Sequence, residues 1–284
     1  MASWTSPLVG PGLSVDLARA HDLSMRVVFD ADAPGRAFGL PAPGTRAVEV
    51  AGFVGDVRRG GSCNCETHVI TPHGDGTHTE GVGHLLAERV PVIELVDAAL
   101  MPALVVTVLP VRLEDVQDEV AGNHGPDDLV IDELTLGEAI ERAMLTAPGG
   151  FSPTALLIRT AAGDERRAQR FSGTNPPYLT ADAAEMVRIR AFDHVLVDLP
   201  SLDREDDGGL LGAHRAFFDV GARAKSLDAP APRRTITEMI AVDAAIEDGA
   251  YALALQLAPI VADAVPSRPL LYPLVAADPS WLRA

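Results

Sequence analysis

Apolar positions along the chain gather into short runs of two kinds, and their alternation predicts strands interleaved with helices. Arg46–Val54 (R-A-V-E-V-A-G-F-V) partly alternates apolar with polar residues, as a half-buried strand does. Thr67–Thr71 (T-H-V-I-T) is a short β-branched run, also read as a strand. Val90–Val96 and Ala103–Leu109 follow, and the second is apolar except at Thr107, as expected of a strand covered on both faces. Ala155–Thr160, His194–Asp198, Thr235–Val242, Tyr251–Leu257 and Leu270–Val275 continue the series. Helical spacing recurs between them. Leu136, Ile140 and Met144 fall on one face behind Thr135 as N-cap, Thr180 opens a helix over Ala181–Ala191, and Gly209–Phe218 supplies a third.

The first 45 residues are rich in Pro, Gly and Ala and hold only short apolar runs such as Met25–Phe29, which predicts an N-terminal arm packed on the body. Val111–Asp128 is charged, contains N-H-G-P, and reads as a surface excursion. Ala224–Arg234 (A-K-S-L-D-A-P-A-P-R-R) reads as a Pro-rich loop insertion, because the elements flanking it are incomplete alone. No internal repeat is visible. The pattern implies an α/β class: a single compact domain over residues 1–284, with a mixed β-sheet flanked by helices.

Composition narrows the partners. The 284 residues are 47% hydrophobic and 22% charged, ordinary for a globular enzyme. A net charge of -17 argues against a nucleic-acid or anionic-membrane surface, since phosphate binding needs clustered Lys and Arg. Lys225 is the only lysine, a skew that reads as coding bias. The N-terminus lacks the basic and apolar regions of a signal peptide. The apolar run around Leu100–Val111 is too short to span a bilayer and is broken by Pro102 and Pro110. Cys63 and Cys65 are too close for an unstrained disulfide. A cytoplasmic protein acting on a small molecule is the expectation.

The chemistry concentrates in His68–His84 (H-V-I-T-P-H-G-D-G-T-H-T-E-G-V-G-H), which holds four of the eight histidines together with Asp75 and Glu80. Imidazole and carboxylate are the donors preferred by zinc, manganese and iron, so the stretch reads as a metal site. A single His is ordinarily a surface or satisfied core residue; four beside a Glu are not read that way. The H-E-x-x-H pattern of helix-borne metalloproteases is absent. His78 and Glu80 are separated by one residue, so on an extended segment both face one side and can share an ion. His84 lies beyond G-V-G and can reach the same cavity without ligating, as a general base of near-neutral pKa.

G-T-H-T-E-G-V-G-H resembles the H-x-G-T-H-x-D-x-P-x-H signature of the cyclase-like metal-dependent amidohydrolases, the family of bacterial kynurenine formamidase and isatin hydrolase. The resemblance extends from about Val15 onward: L-L-I-R-T at Leu156–Thr160, D-L-P-S-L-D at Asp198–Asp203, His214 in A-H-R-A-F-F, Glu238 in T-I-T-E-M-I, and P-S-R-P-L-L at Pro266–Leu271. It implies the family's compact α/β domain with a smaller β element. His78 and Glu80 would be metal ligands, and His84 the catalytic His. His214 and Glu238 would hold a second metal or line the pocket, Glu238 touching substrate. One or two divalent ions, Zn or Mn, are implied. The family's first ligand lies four residues before the second, which here is Gly74; His73 is assigned through a one-residue insertion, with Asp75 the alternative. Glu80 replaces the family's Asp, Val82 its Pro, and the His214–Glu238 spacing is expanded. The implied activity is hydrolysis of a C–N bond in a small amide, lactam or N-formyl compound, arylformamidase-like activity included. Family members are homo-oligomers, so a dimer or tetramer is expected, with the N-terminal arm available for assembly.

Two other classes fit some of these residues. His78, Glu80 and His214 satisfy the two-His-one-carboxylate set of non-haem Fe(II) oxygenases, which usually sit on an all-β barrel. A metal- or ligand-binding protein without turnover is the third reading. Among further candidates, Cys63 and Cys65 are read as small buried residues rather than soft ligands. His68 points away from the site, and His124 is a surface turn residue. Asp198 is assigned a supporting position behind the site, while Ser201 and Asp203 read as turn chemistry. Tyr178 and Trp4 are open candidates for substrate contact.

Overall fold

The strand-forming runs pair so that the sheet meets itself. The computed structural model describes residues 13–30 and 32–276. In chain order its first strands are β1 (Leu13–Val15), β2 (His21–Asp22), β3 (Gly44–Ala47), β4 (Glu49–Val50), β5 (Phe53–Val54) and β6 (Glu66–Val69). Next come β7 (His78–Gly81), β8 (Met101–Thr107), β9 (Val111–Arg112), β10 (Leu129–Ile131), β11 (Ala155–Arg159) and β12 (Tyr178–Leu179). The last are β13 (His194–Val197), β14 (Thr235–Glu238), β15 (Gly249–Leu257) and β16 (Ala264–Ala276). The helices are α1 (Glu133–Thr146), α2 (Gly163–Ala168), α3 (Ala181–Ile189) and α4 (Gly212–Phe218).

Strand order β16-β15-β8-β11-β13-β14-β7 is closed by a second pairing of β7 with β16, giving a barrel-like wall. β8, β11, β13 and β14 are parallel neighbours, whereas β7, β15 and β16 pair antiparallel. The mixed sheet is the expected one; its closure is not readable from periodicity, which assigns faces rather than partners. Alternation fills two cores. Ala103, Val105, Leu157, Leu196, Leu253 and Leu271 pack inside the wall, while Leu104, Val106, Leu156, Ile158 and Val197 pack outward against Leu136, Ile140, Val187 and Phe217 of the helices. Each such fully buried Leu, Ile or Val side chain contributes about 1.5–3 kcal/mol. β8 is covered on both faces, as its composition predicts.

Several expected elements differ. Arg46–Val54 is not one strand: Ala51 and Gly52 adopt positive φ (48° and 86°) and fold β4 back onto β5 as a tight hairpin. Val90–Val96 forms only a 3₁₀ turn over Val92–Glu94, because Pro91 interrupts the run and Val92 N is taken by the Ala262 carbonyl. Helix α1 is capped by Asp132, whose carboxylate accepts from Thr135 N, so Thr135 lies inside the first turn. The predicted excursion at Val111–Asp128 starts with β9, which joins β10 and β12 in a small three-stranded sheet. Residues 1–12 of the arm lie outside the described residues. Beyond them, β1 and β2 add to β16, and Leu23 and Met25 are buried. Among the described residues no helix is long and apolar enough to cross a membrane.

Asp128 fastens the small sheet to the loop that leads into α4. Its carboxylate accepts from Tyr178 Oη (3.0 Å), Asn175 Nδ2 (2.8 Å) and Arg204 Nε (2.8 Å). Burial works against its charge, but Arg204 and Asn175 outweigh it and hold the pKa at about 2, below the ordinary 3.8. A carboxylate depressed in the folded state stabilises fully above its unfolded pKa, and that contribution disappears as pH falls through the folded value. Asp128→Ala is therefore expected to cost about 3 kcal/mol near neutrality. In urea unfolding the gap to the parent protein should close as pH falls from about 4 to about 2. A gap indifferent to pH would sink this account.

Candidate metal centre

The site lies between the outer face of the barrel wall and α4. On β7 the two-residue strand period puts His78 and Glu80 on one face, both fully buried. β14 runs alongside with Glu238 directly opposite His78, and His78 Nε2 lies 3.2 Å from Glu238 Oε2. α4 brings His214 over this pair, its Nε2 2.7 Å from Glu80 Oε1 and 3.5 Å from Glu238 Oε1. His73 enters from a 3₁₀ turn over Pro72–Gly74, and its Nδ1 lies 2.9 Å from Glu80 Oε2. Gly76 makes this path possible. Its φ is +71°, and a Cβ there would stand 2.8 Å from the Met25 carbonyl.

Asp75 takes a different role from the one left open for it. Its Oδ2 accepts from Thr71 N (2.9 Å) and its Oδ1 lies 3.6 Å from Arg36 Nε, so it braces the turn while His73 reaches the cluster.

Asp203 is the support that sequence reasoning assigned to turn chemistry alone. Its carboxylate accepts from Ala213 N (2.7 Å) and His214 N (3.1 Å), capping α4 from outside the helix. The same group lies 2.5 Å from His214 Nδ1. A carboxylate at Nδ1 favours the proton there and leaves Nε2 as the donor to an ion. Leu202 N in turn donates to Glu238 Oε1 (3.0 Å), so the D-L-P-S-L-D-R loop positions both halves of the site.

Two triads meet at Glu80: His73, His78 and Glu80, and Glu80, His214 and Glu238, each with ligand atoms within 4.8 Å of one another. Two buried carboxylates side by side are costly without a compensating cation. Both Glu80 oxygens and His78 Nε2 are buried without a well-aligned hydrogen bond. The donor set, oxygen and imidazole nitrogen, suits a divalent ion such as zinc or manganese, so the residues fit the expected metal. The local field is strongly negative. Burial opposes protonation of His214, yet Glu80, Asp203 and Glu238 raise its pKa well above the ordinary value. His73 is raised to about 9, with Glu80, Glu238 and Asp263 overcoming its burial. Burial likewise opposes ionisation of Glu80, and His84, His214 and His73 hold its pKa well down.

Glu80, Glu238 and His214 form part of the lining of a cavity of about 460 Å³, with Phe38, Leu40 and Leu211 as apolar wall. His84 lines the same cavity, its ring 4.3 Å from that of His73 and 5.7 Å from that of His214. The remaining candidates lie elsewhere. Cys63 and Cys65 are exposed, not buried, because they fall in the outlying hairpin region rather than on a packed face. Asp198 does not touch the site: it is buried against Arg166 Nε (3.2 Å), Thr160 N (2.8 Å) and Ala161 N (3.0 Å), bracing a different loop. Tyr178 is 2% exposed and committed to Asp128. His68 stacks on Phe29, and His124 sits in an exposed turn. Trp4 lies outside the described residues. Asp263 was missed; a lone Asp in a loop (A-D-A-V-P) carries no pattern.

The likeness to known proteins agrees with this architecture. A predicted metal-dependent hydrolase from Bacillus stearothermophilus superposes with a TM-score of 0.52 at 16% identity, covering 89% of this chain and 98% of that one. Isatin hydrolase A from Labrenzia aggregata, solved with benzyl benzoate, gives 0.55 at 16% identity over 92% and 96%. An isatin hydrolase bound to the product analogue thioisatinate gives 0.56 at 14% identity over 95% of each chain. At these identities the likeness is one of fold. No curated protein sequence matches the chain. The profile of the Cyclase family matches residues 13–204, well over half of the sequence and including all of His68–His84. The chain belongs to the Cyclase family.

Proposed function

We propose that the protein is a metal-dependent hydrolase of a C–N bond in a small amide, lactam or N-formyl compound. The observation that carries this reading is the pair of triads sharing the buried Glu80, placed on an open cavity that His84, outside both triads, also lines. His73, His78 and Glu80 would hold a first ion, and His214 and Glu238, with Glu80, a second. A bound zinc or manganese supplies Lewis acidity, polarising a carbonyl and easing deprotonation of water. The chain's own groups supply the rest. Phe38, Leu40 and Leu211 receive the apolar body of the substrate and exclude water from it. His84 takes the proton of the attacking water and delivers it to the departing nitrogen, a transfer suited to an imidazole. Glu238, which lines the cavity, orients the substrate by accepting from its N–H. The hydrolase activity of the isatin hydrolases that share the fold supports the reading by analogy.

The test joins metal content to turnover. Elemental analysis of protein purified without chelator is expected to give one or two divalent ions per chain. Anaerobic assays with isatin and N-formylkynurenine should then show hydrolysis, which an O₂-dependent reaction could not sustain. Chelator should stop turnover and also lower the melting temperature. An ion at a thousand times its dissociation constant stabilises the folded state by about 4 kcal/mol. Protein that lacks stoichiometric metal and melts identically with and without chelator would end this reading.

A further inference from the structure

A third group of convergent donors, His73, His84 and Asp263, stands at the rim of the cavity. Asp263 comes from the loop between β15 and β16, and the backbone there is tied to the opposite strand. Its carbonyl accepts from Gly81 N (3.0 Å), and the Ala262 carbonyl accepts from Val92 N (2.9 Å). Gly83 permits the approach. A Cβ at that position would stand 2.6 Å from the Val90 carbonyl and 3.3 Å from Asp263 Cβ, so a side chain there would force the two segments apart.

The result is one carboxylate oxygen between two imidazoles. Asp263 Oδ2 lies 3.5 Å from His73 Nε2 and 3.6 Å from His84 Nδ1. These are longer than formed hydrogen bonds, but a carboxylate oxygen favours N–H over a lone pair on whichever ring nitrogen faces it. A proton on Nε2 of His73 leaves the lone pair on Nδ1, the atom 2.9 Å from Glu80 and within the first triad. A proton on Nδ1 of His84 leaves the lone pair on Nε2, which has no partner among the described residues and is the atom available to take a proton.

We propose that Asp263 is a positioning residue that holds His73 as its Nε2–H tautomer and His84 as its Nδ1–H tautomer, readying a metal ligand and a base together. The role of base rests on the hydrolase reading; the tautomers do not.

Long-range ¹H–¹⁵N spectra of the zinc-loaded full chain, labelled in histidine, decide the matter without turnover. His84→Ala identifies the signals of that ring by their loss. The parent protein is expected to show His84 protonated at Nδ1 and His73 at Nε2. In Asp263→Ala, His84 should move toward the Nε2–H form that free imidazole side chains favour, and Asp263→Glu should restore the original. Hydrolysis of isatin should fall about 10–100-fold in kcat in Asp263→Ala, with KM unchanged. Finding His84 as Nε2–H in the parent protein, or an unchanged tautomer in Asp263→Ala, overturns the proposal. Expected tautomers in a protein that hydrolyses no amide would uphold Asp263 and refute the hydrolase reading alone.

Discussion

Glu80→Gln is expected to empty both cation positions in one step. Glu80 is the residue common to the two triads, with Oε1 facing His214 and Oε2 facing His73. An amide keeps the volume but presents one oxygen and an NH₂, and it carries no charge. Loss of Lewis-acid assistance removes several kcal/mol of transition-state stabilisation, so hydrolysis should drop by about a thousand-fold or more. His214→Ala provides the contrast, since it breaks only the triad on the α4 side. Elemental analysis of the two variants should show metal absent from the first and at most one ion retained in the second. Full metal content in Glu80→Gln would show that the triads are not the binding site.

His84→Ala should separate proton transfer from metal binding. The ring lines the cavity and lies beside the expected ligands but belongs to neither of the triads that contain Glu80. Removing a positioned general base ordinarily costs about 10²–10⁴-fold in rate. The variant should therefore keep its full metal content and thermal stability while kcat collapses. Added imidazole, diffusing into the vacated space, should return part of the activity. Loss of metal in this variant would instead make His84 a ligand.

The central strands were legible because their chemistry is local. Ala103–Leu109 is apolar on both faces but for Thr107, and His194–Asp198 holds the apolar core V-L-V; β8 and β13 fall on these runs. The helix after Thr180 was readable from its cap, and Thr180 does accept from Ala183 N. The closing pair β7–β16 was not legible, since it joins residues far apart in sequence and β16 carries Pro266, Pro269 and Pro273, residues that argue against a long strand. Within the site, His78 and Glu80 could be paired from the strand period alone. His214 and Glu238 were reached only through the family resemblance, and the structure brings both into contact distance of Glu80 or His78. Asp203 was read as turn chemistry and Asp263 escaped notice, because a carboxylate that serves another residue's ring is defined by tertiary position, not by any spacing in the chain.

β7 is paired on one side to β14 and on the other to β16 while carrying two of the five residues that make up the two triads, His78 and Glu80. The site thus has no existence apart from the completed wall. Its halves come from segments that meet only after long loops have closed, a slow and entropically costly event in folding. Metal uptake is consequently a report on global foldedness: partly folded chains would retain helices yet hold no ion. In native-state hydrogen exchange, the amides of β7 and β14 should gain protection on metal addition together with those of β16, as a single cooperative unit.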